Sequence, residues 1–259
     1  MKYVYIMTCM LLTLACSLSV AKTPEEIGLE IAIETDRRDQ GFTDSIADMI
    51  MILKNRDGDE SIRTVKMKSL EMDEDGNKDL SIFQQPSDLK NTAVLTYSHA
   101  LDPDEQWIYL PGLKRVKRIS TRNKSGPFVG SEFAFEDLSS WEVDKYSYRF
   151  LRDEILENRD CFVVENTPRY EHSGYTRQVE WVDKDIYHPR RIDYYDRQNA
   201  LLKTLTFHDY QQYLDHYWRP DRMLMVNHQT GKSTELIWSD RQFKVGLNDR
   251  DFIPSTLKR

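Results

Sequence analysis

Lys114, Arg115, Lys117, Arg118, Arg122 and Lys124 place six positive charges within eleven residues of a 259-residue chain whose formal net charge is −7. Clustered cations can meet the phosphates of lipid headgroups or an acidic partner, and cations on a strand edge also block unwanted strand pairing. The remaining chemistry-bearing side chains form no reactive pattern. Asp73, Asp75 and Asn77 alternate like a calcium loop, but Gly76 falls at the fourth position instead of the sixth, and Gln84 stands where a bidentate glutamate belongs. The histidines His99, His172, His188, His208, His216 and His228 are dispersed, with no His-x-x-x-His pair. Cys161 lies in Cys-Phe-Val-Val and reads as a buried strand residue with no paired base.

No nucleophile elbow, P-loop or dinucleotide fingerprint occurs, and Gly126 and Gly130 do not lead from a strand into a phosphate-cradling helix. The adjacent carboxylates Glu136 and Asp137 point in different directions on most backbones. The sequence therefore supports a protein that is not an enzyme and needs no metal or cofactor. An acidic chain with 39% apolar and 31% charged residues can fill one sizeable core and is too polar for a bundle of membrane helices. Its acidity also argues against a nucleic-acid binder.

Residues 1–21 read as an export signal, with Lys2 before the apolar run Val4 to Leu14, and Ser19-Val20-Ala21 as a cleavage site before Lys22. A lipid anchor on Cys16 is the secondary reading, because Thr13-Leu14-Ala15 fits a lipobox poorly. Cleavage leaves 22–259 as a single domain whose one cysteine, Cys161, cannot form an internal disulfide.

Stepping along that domain, Thr23-Pro24-Glu25-Glu26 is a capping-box start to a helix that reaches Arg38. The apolar period then shortens. Met49 and Met51 share one strand face, Asp57-Gly58 marks a tight turn, and Met67 follows on the return strand. Turn signals at Pro86, Pro111-Gly112, Asn158, Pro168, Pro189, Asn199, Pro220 and Gly231 separate about ten strand-like runs, so a mainly β, antiparallel meander is expected. The polar stretch from Glu71 to Asp79 reads as an exposed turn. Ser125 to Leu138 fits no strand and reads as a loop or short helix laid across the sheet, with Gly126 and Gly130 as hinges of a lid.

Asp104-Glu-Gln-Trp107-Ile-Tyr109-Leu-Pro111, continued by Leu113 to Ile119 and Gly130-Ser-Glu-Phe-Ala-Phe-Glu-Asp-Leu138, resembles the outer membrane lipoprotein-sorting protein family, relatives of the periplasmic carrier LolA. Glu132 stands where that family is expected to carry Asp. The resemblance implies an unclosed antiparallel β-barrel with helices and a loop plugging its concave face. It also implies a periplasmic protein that binds lipoprotein or lipid acyl chains between sheet and plug, beside an RND-type inner-membrane exporter. A lipid-sensing adaptor or regulator of an envelope transporter or stress response is the alternative.

On that reading Met49, Met51, Met67, Trp107, Tyr109, Phe128, Phe133 and Phe135 line the cavity of a monomeric carrier, and Lys114, Arg115, Lys117 and Arg118 dock it on headgroups or the exporter. Unbranched thioethers suit a cavity that must repack around chains of different length.

Overall fold

The computed structural model describes residues 21–72, 76–99 and 102–258. The export signal, Cys16, and Asp73 and Asp75 of the calcium-like loop lie outside the described residues. The helix α1 (Pro24–Asp39) begins with the expected capping box: Thr23 Oγ1 accepts from the Glu26 amide at 3.2 Å, and the Glu26 carboxylate accepts from the Thr23 amide at 2.8 Å.

Thirteen strands follow: β1 (Asp44–Lys54), β2 (Glu60–Leu70), β3 (Lys78–Gln85), β4 (Ala93–Tyr97), β5 (Glu105–Leu110), β6 (Arg115–Ile119), β7 (Tyr146–Leu156), β8 (Arg159–Pro168), β9 (Tyr175–Asp183), β10 (Pro189–Asp196), β11 (Leu201–Tyr213), β12 (Tyr217–Asn227) and β13 (Ser233–Phe243). They form one antiparallel sheet in the order β6-β5-β4-β3-β2-β1-β13-β12-β11-β10-β9-β8-β7. The connection at 214–216 between β11 and β12 contains no glycine or proline, which is one reason more strands are present than the turn signals distinguish.

The sheet is rolled. Phe83 of β3 and Tyr194 of β10 belong to one buried cluster although six strand spacings separate them, roughly 29 Å in a flat sheet. The barrel stays unclosed, because β6 and β7 remain the two edges, and the chain between them, residues 120–145, runs from one edge to the other.

Side chains alternate between two cores. Val94 and Ile108 face the concave interior with Met49, Met51 and Phe83. Leu95, Trp107 and Tyr109 face outward, where the C-terminal segment seats Phe252 and Leu257 against them. A third cluster holds α1 through Ile31 and Ala32 against Tyr146, Tyr148, Val164 and Val182.

The stretch from Glu71 to Asp79 is not wholly an exposed turn. Asp79 already belongs to β3 and is buried, accepting from Ser69 Oγ at 2.5 Å and from Ser140 Oγ at 3.4 Å. Burial pushes its carboxyl up to about 6 despite those bonds. Acidic composition marked a turn there, whereas two serine hydroxyls make the carboxyl tolerable inside.

Candidate functional site

Antiparallel pairing puts Met49 opposite Val65 and Trp238, and Met51 opposite Leu236, all on the concave face. Met49 and Met51 are buried, Met67 packs at the edge of the same cluster, and Met223 and Met225 of β12 join them. The last two were missed from sequence, although their Met-Leu-Met alternation carries the same strand signal as Met49 and Met51.

Into this methionine-rich concavity the segment between the edges inserts a tight, hairpin-like plug. Pro127 bridges Ala134, the Phe128 amide donates to the Phe133 carbonyl at 2.7 Å, and the Ser131 amide donates to the Phe128 carbonyl at 3.0 Å. Phe128 and Phe133 are buried, with Phe128 packed 5.5 Å from Phe135 and 6.1 Å from Phe83 between ring centroids. At the plug's tip Val129 adopts φ 46°, ψ 37°, a left-handed conformation that a β-branched residue rarely takes. The half-buried Arg63 guanidinium donates to the Val129 carbonyl there.

Three carboxylates strap the plug to the sheet and its loops. Asp137 accepts from Lys203 Nζ at 2.6 Å, from the Tyr175 hydroxyl at 2.7 Å and from the Ala134 amide at 2.6 Å. Glu136 accepts from the Gly174 amide at 2.8 Å, Ser173 Oγ at 2.9 Å and the Tyr170 hydroxyl at 3.1 Å. Glu132 accepts from Asn227 Nδ2 at 2.7 Å, and its amide donates to Thr234 Oγ1 at 3.0 Å.

The neighbours Glu136 and Asp137 thus diverge, as their adjacency suggested. Their partners lie far off in sequence, so the strapping role was not legible beforehand. These bonds hold the segment closed against the sheet.

Trp107 and Tyr109 correct the sequence reading. They share a face, but it is the outer one: Trp107 packs edge-on against Tyr97 at 4.9 Å, in a cluster that Phe252 and Leu257 of the C-terminal segment complete. Ile108, between them, is the residue that reaches the concave core. Period-two alternation groups residues by face without saying which face is inside, and here a second core covers the outer one.

Lys114, Arg115, Lys117 and Arg118 are all exposed on or beside β6, the open edge of the sheet. Arg115 and Lys117 stand opposite Leu110 and Ile108, whereas Arg118 turns outward beside Trp107 and pairs with Glu105. Lys114, Arg115 and Lys117 have no ion-pair partner among the described residues.

Two solvent-connected cavities flank the plugged interior. One of about 690 Å³ lies between the C-terminus of α1, the Glu71 loop and β12–β13; one of about 620 Å³ opens beside the plug at Glu132, Lys203 and Asn227. Among the described residues no three histidine, cysteine or carboxylate side chains group as a metal site. Cys161 is buried, and desolvation pushes its thiol up to about 11, which opposes nucleophilic use. The concave core is apolar, and among the described residues no nucleophile and base are brought together.

A family model described as "Uncharacterized protein" matches residues 75–259. No curated protein matches the chain by sequence. Among solved structures, an outer membrane lipoprotein-sorting protein domain from Vibrio parahaemolyticus is 57% identical, with a TM-score of 0.89, over 91% of this chain and 100% of that one. A DUF1329 family protein from Desulfovibrio piger is 31% identical, with a TM-score of 0.87, over 91% of this chain and 100% of that one. A LolA superfamily protein from Nitrosomonas europaea shares the fold at 20% identity and a TM-score of 0.71, over 90% of this chain and 98% of that one.

Proposed function

The chain belongs to the outer membrane lipoprotein-sorting protein family, and from that premise we propose that it is a periplasmic carrier of lipid or lipoprotein acyl chains that works without covalent chemistry. The observation that carries this reading is the methionine-rich concave core, into which the plug between the sheet's edges inserts Phe128, Phe133 and Phe135. An acyl chain costs about 0.8 kcal/mol per CH₂ in water, roughly 12 kcal/mol for sixteen carbons, so a carrier must offer a dry space of matching length. Withdrawal of the aromatic residues exchanges one set of apolar surfaces for another, and the polar bonds of Glu132, Glu136 and Asp137 set its cost. Met49, Met51, Met67, Met223 and Met225 then repack around the chain.

Residues 1–21 would deliver the protein to the periplasm with Lys22 as its first residue, and N-terminal sequencing of the exported protein checks this. There it would act as a monomer beside an RND-type exporter, with Lys114, Arg115, Lys117 and Arg118 as the docking edge.

Hydrogen exchange tests the plug's part in this. The amides of Phe128, Ser131 and Phe135 are hydrogen-bonded in the closed arrangement, so they should exchange slowly in lipid-free protein and faster once an acyl ligand is added. Equal protection in both states would leave the plug as permanent core and remove the proposed entry route.

A further inference from the structure

The larger cavity is built differently from the plugged interior. Its wall carries two guanidiniums, Arg219 and Arg241, together with four carboxylates: Asp36 and Asp39 from the end of α1, Glu71 and Glu142. Arg219 pairs with Asp39 and lies over the rings of Phe42, Tyr217 and Phe243 at 5.6 to 5.9 Å. Arg241 has no carboxylate within ion-pair distance among the described residues. Its Nε is buried with no hydrogen-bond partner, Nη2 reaches the Pro220 carbonyl at 3.4 Å, and the Tyr213 hydroxyl is its one side-chain partner among the described residues. Burial and the neighbouring Arg219 both push Arg241 below the usual guanidinium range. Tyr213 and Asp221 offset that only in part, and a largely buried guanidinium with no carboxylate in ion-pair contact is stabilised by an anion that joins it.

A β-bulge explains how Arg241 comes to be there. The pairing of β1 with β13 slips between Ile46 and Asp48, opposite Asp240 with its φ of 51°. The extra residue turns Arg241 to the cavity side, three positions after the core residue Trp238. Arg241 lies 5.7 Å from the Trp238 ring, and Trp238 is the cross-strand partner of Met49. Trp238 therefore stands between Arg241 and Met49 of the concave core.

The second charge type sits on α1. Asp36 accepts from Gln40 Nε2 at 2.6 Å, has no cation partner among the described residues, and is held above the usual carboxylate range by burial and by Asp39 and Glu71. An ammonium group would relieve that crowding, as a phosphate would relieve Arg241.

We propose that this cavity is a headgroup site for a zwitterionic phospholipid that carries both a phosphate and a primary amine, with the phosphate on Arg219 and Arg241, the amine toward Asp36, and the acyl chains passing Trp238 into the methionine core. The inference rests on the carrier reading and names its cargo class.

The test is native mass spectrometry of purified protein incubated with detergent-solubilised phosphatidylethanolamine, phosphatidylglycerol, phosphatidylcholine or an uncharged monoacylglycerol. Wild type should retain phosphatidylethanolamine about tenfold better than phosphatidylglycerol or phosphatidylcholine. Arg241→Met should lose that preference and keep monoacylglycerol uptake, and Arg241→Lys should restore part of it. Asp36→Asn should narrow the gap between phosphatidylethanolamine and phosphatidylglycerol. A melting curve for each variant confirms folding, and the wild-type preference tests the site without any variant. Retention of monoacylglycerol with no headgroup preference would overturn this inference and leave the carrier reading standing. Retention of none of the four probes would overturn both.

Discussion

Lys203 Nζ lies 2.6 Å from Asp137 Oδ2, with the two side chains only 4% and 1% exposed, so a single buried ion pair ties the plug to β11 in the middle of the sheet. Lys203 also donates to the Glu132 carbonyl at 2.9 Å, which fixes both ends of the Glu132 to Asp137 turn. The aromatic residues that fill the core are held there by polar chemistry.

Removing one partner should therefore be costly. Asp137→Asn leaves the Lys203 ammonium buried without its counter-charge and should destabilise the protein by about 3 to 5 kcal/mol. Asp137→Leu combined with Lys203→Met should recover much of that loss. Urea unfolding of the three proteins checks this, and a loss below about 1 kcal/mol for Asp137→Asn would mean that the pair does not anchor the plug.

Trp107→Ala removes a half-buried ring from the outer core, beside Tyr97 and under the C-terminal segment. It should cost about 2 to 3 kcal/mol, less than the truncation of a fully buried ring, and leave acyl-chain uptake unchanged. Phe133→Ala, on the concave side, should alter uptake. A Trp107→Ala protein that folds but no longer takes up acyl chains would return Trp107 to the cavity.

Glu180 gives a pH signature. It is buried between α1 and the sheet, with Asn166 Nδ2 at 2.8 Å, and desolvation outweighs that bond and raises its carboxyl from 4.5 to about 7. Because the folded value lies above the unfolded one, the fold favours the protonated form. Its contribution is fully present below about pH 4.5 and is lost as pH rises through 7, amounting to about 3 kcal/mol. Glu180→Gln should therefore gain stability over wild type as pH goes from 5 to 8. Asp79, raised to about 6, adds a loss of the same sign that both proteins share and the difference removes. A difference that stayed constant across that range would show Glu180 to be ionised throughout.

The exposed cations of β6 should matter for delivery and not for folding. Reversal of Lys114, Arg115, Lys117 and Arg118 to Glu should abolish salt-sensitive transfer of cargo to acceptor membranes in a reconstituted assay, while acyl-chain binding persists, because exposed charges add little stability. Transfer at the wild-type rate at both low and high salt would reduce the cluster to protection of an open sheet edge.

Much of this architecture was legible in the sequence. The capping box at Thr23, the alternation of Met49 and Met51, and the segment from Ser125 to Leu138 that fits no strand each have a local cause, and each stands where it was expected. What stayed hidden depends on pairings between distant residues. The partners of Glu132, Glu136 and Asp137 come from β9, β11, β12, β13 and the loop before β9. The outer seat of Trp107 depends on Phe252 and Leu257, more than a hundred residues away. Arg241 reaches its cavity only through a bulge that composition does not announce.

If the concave core exchanges its aromatic plug for acyl chains, protein purified from the periplasm should show, by native mass spectrometry, an added mass of lipid size that gentle activation releases. A folded variant in which Met51 and Met225 are both replaced by Lys should lack that mass. Wild-type protein that carries no lipid-sized mass, and acquires none when incubated with phospholipid or acylated peptide, would contradict the exchange.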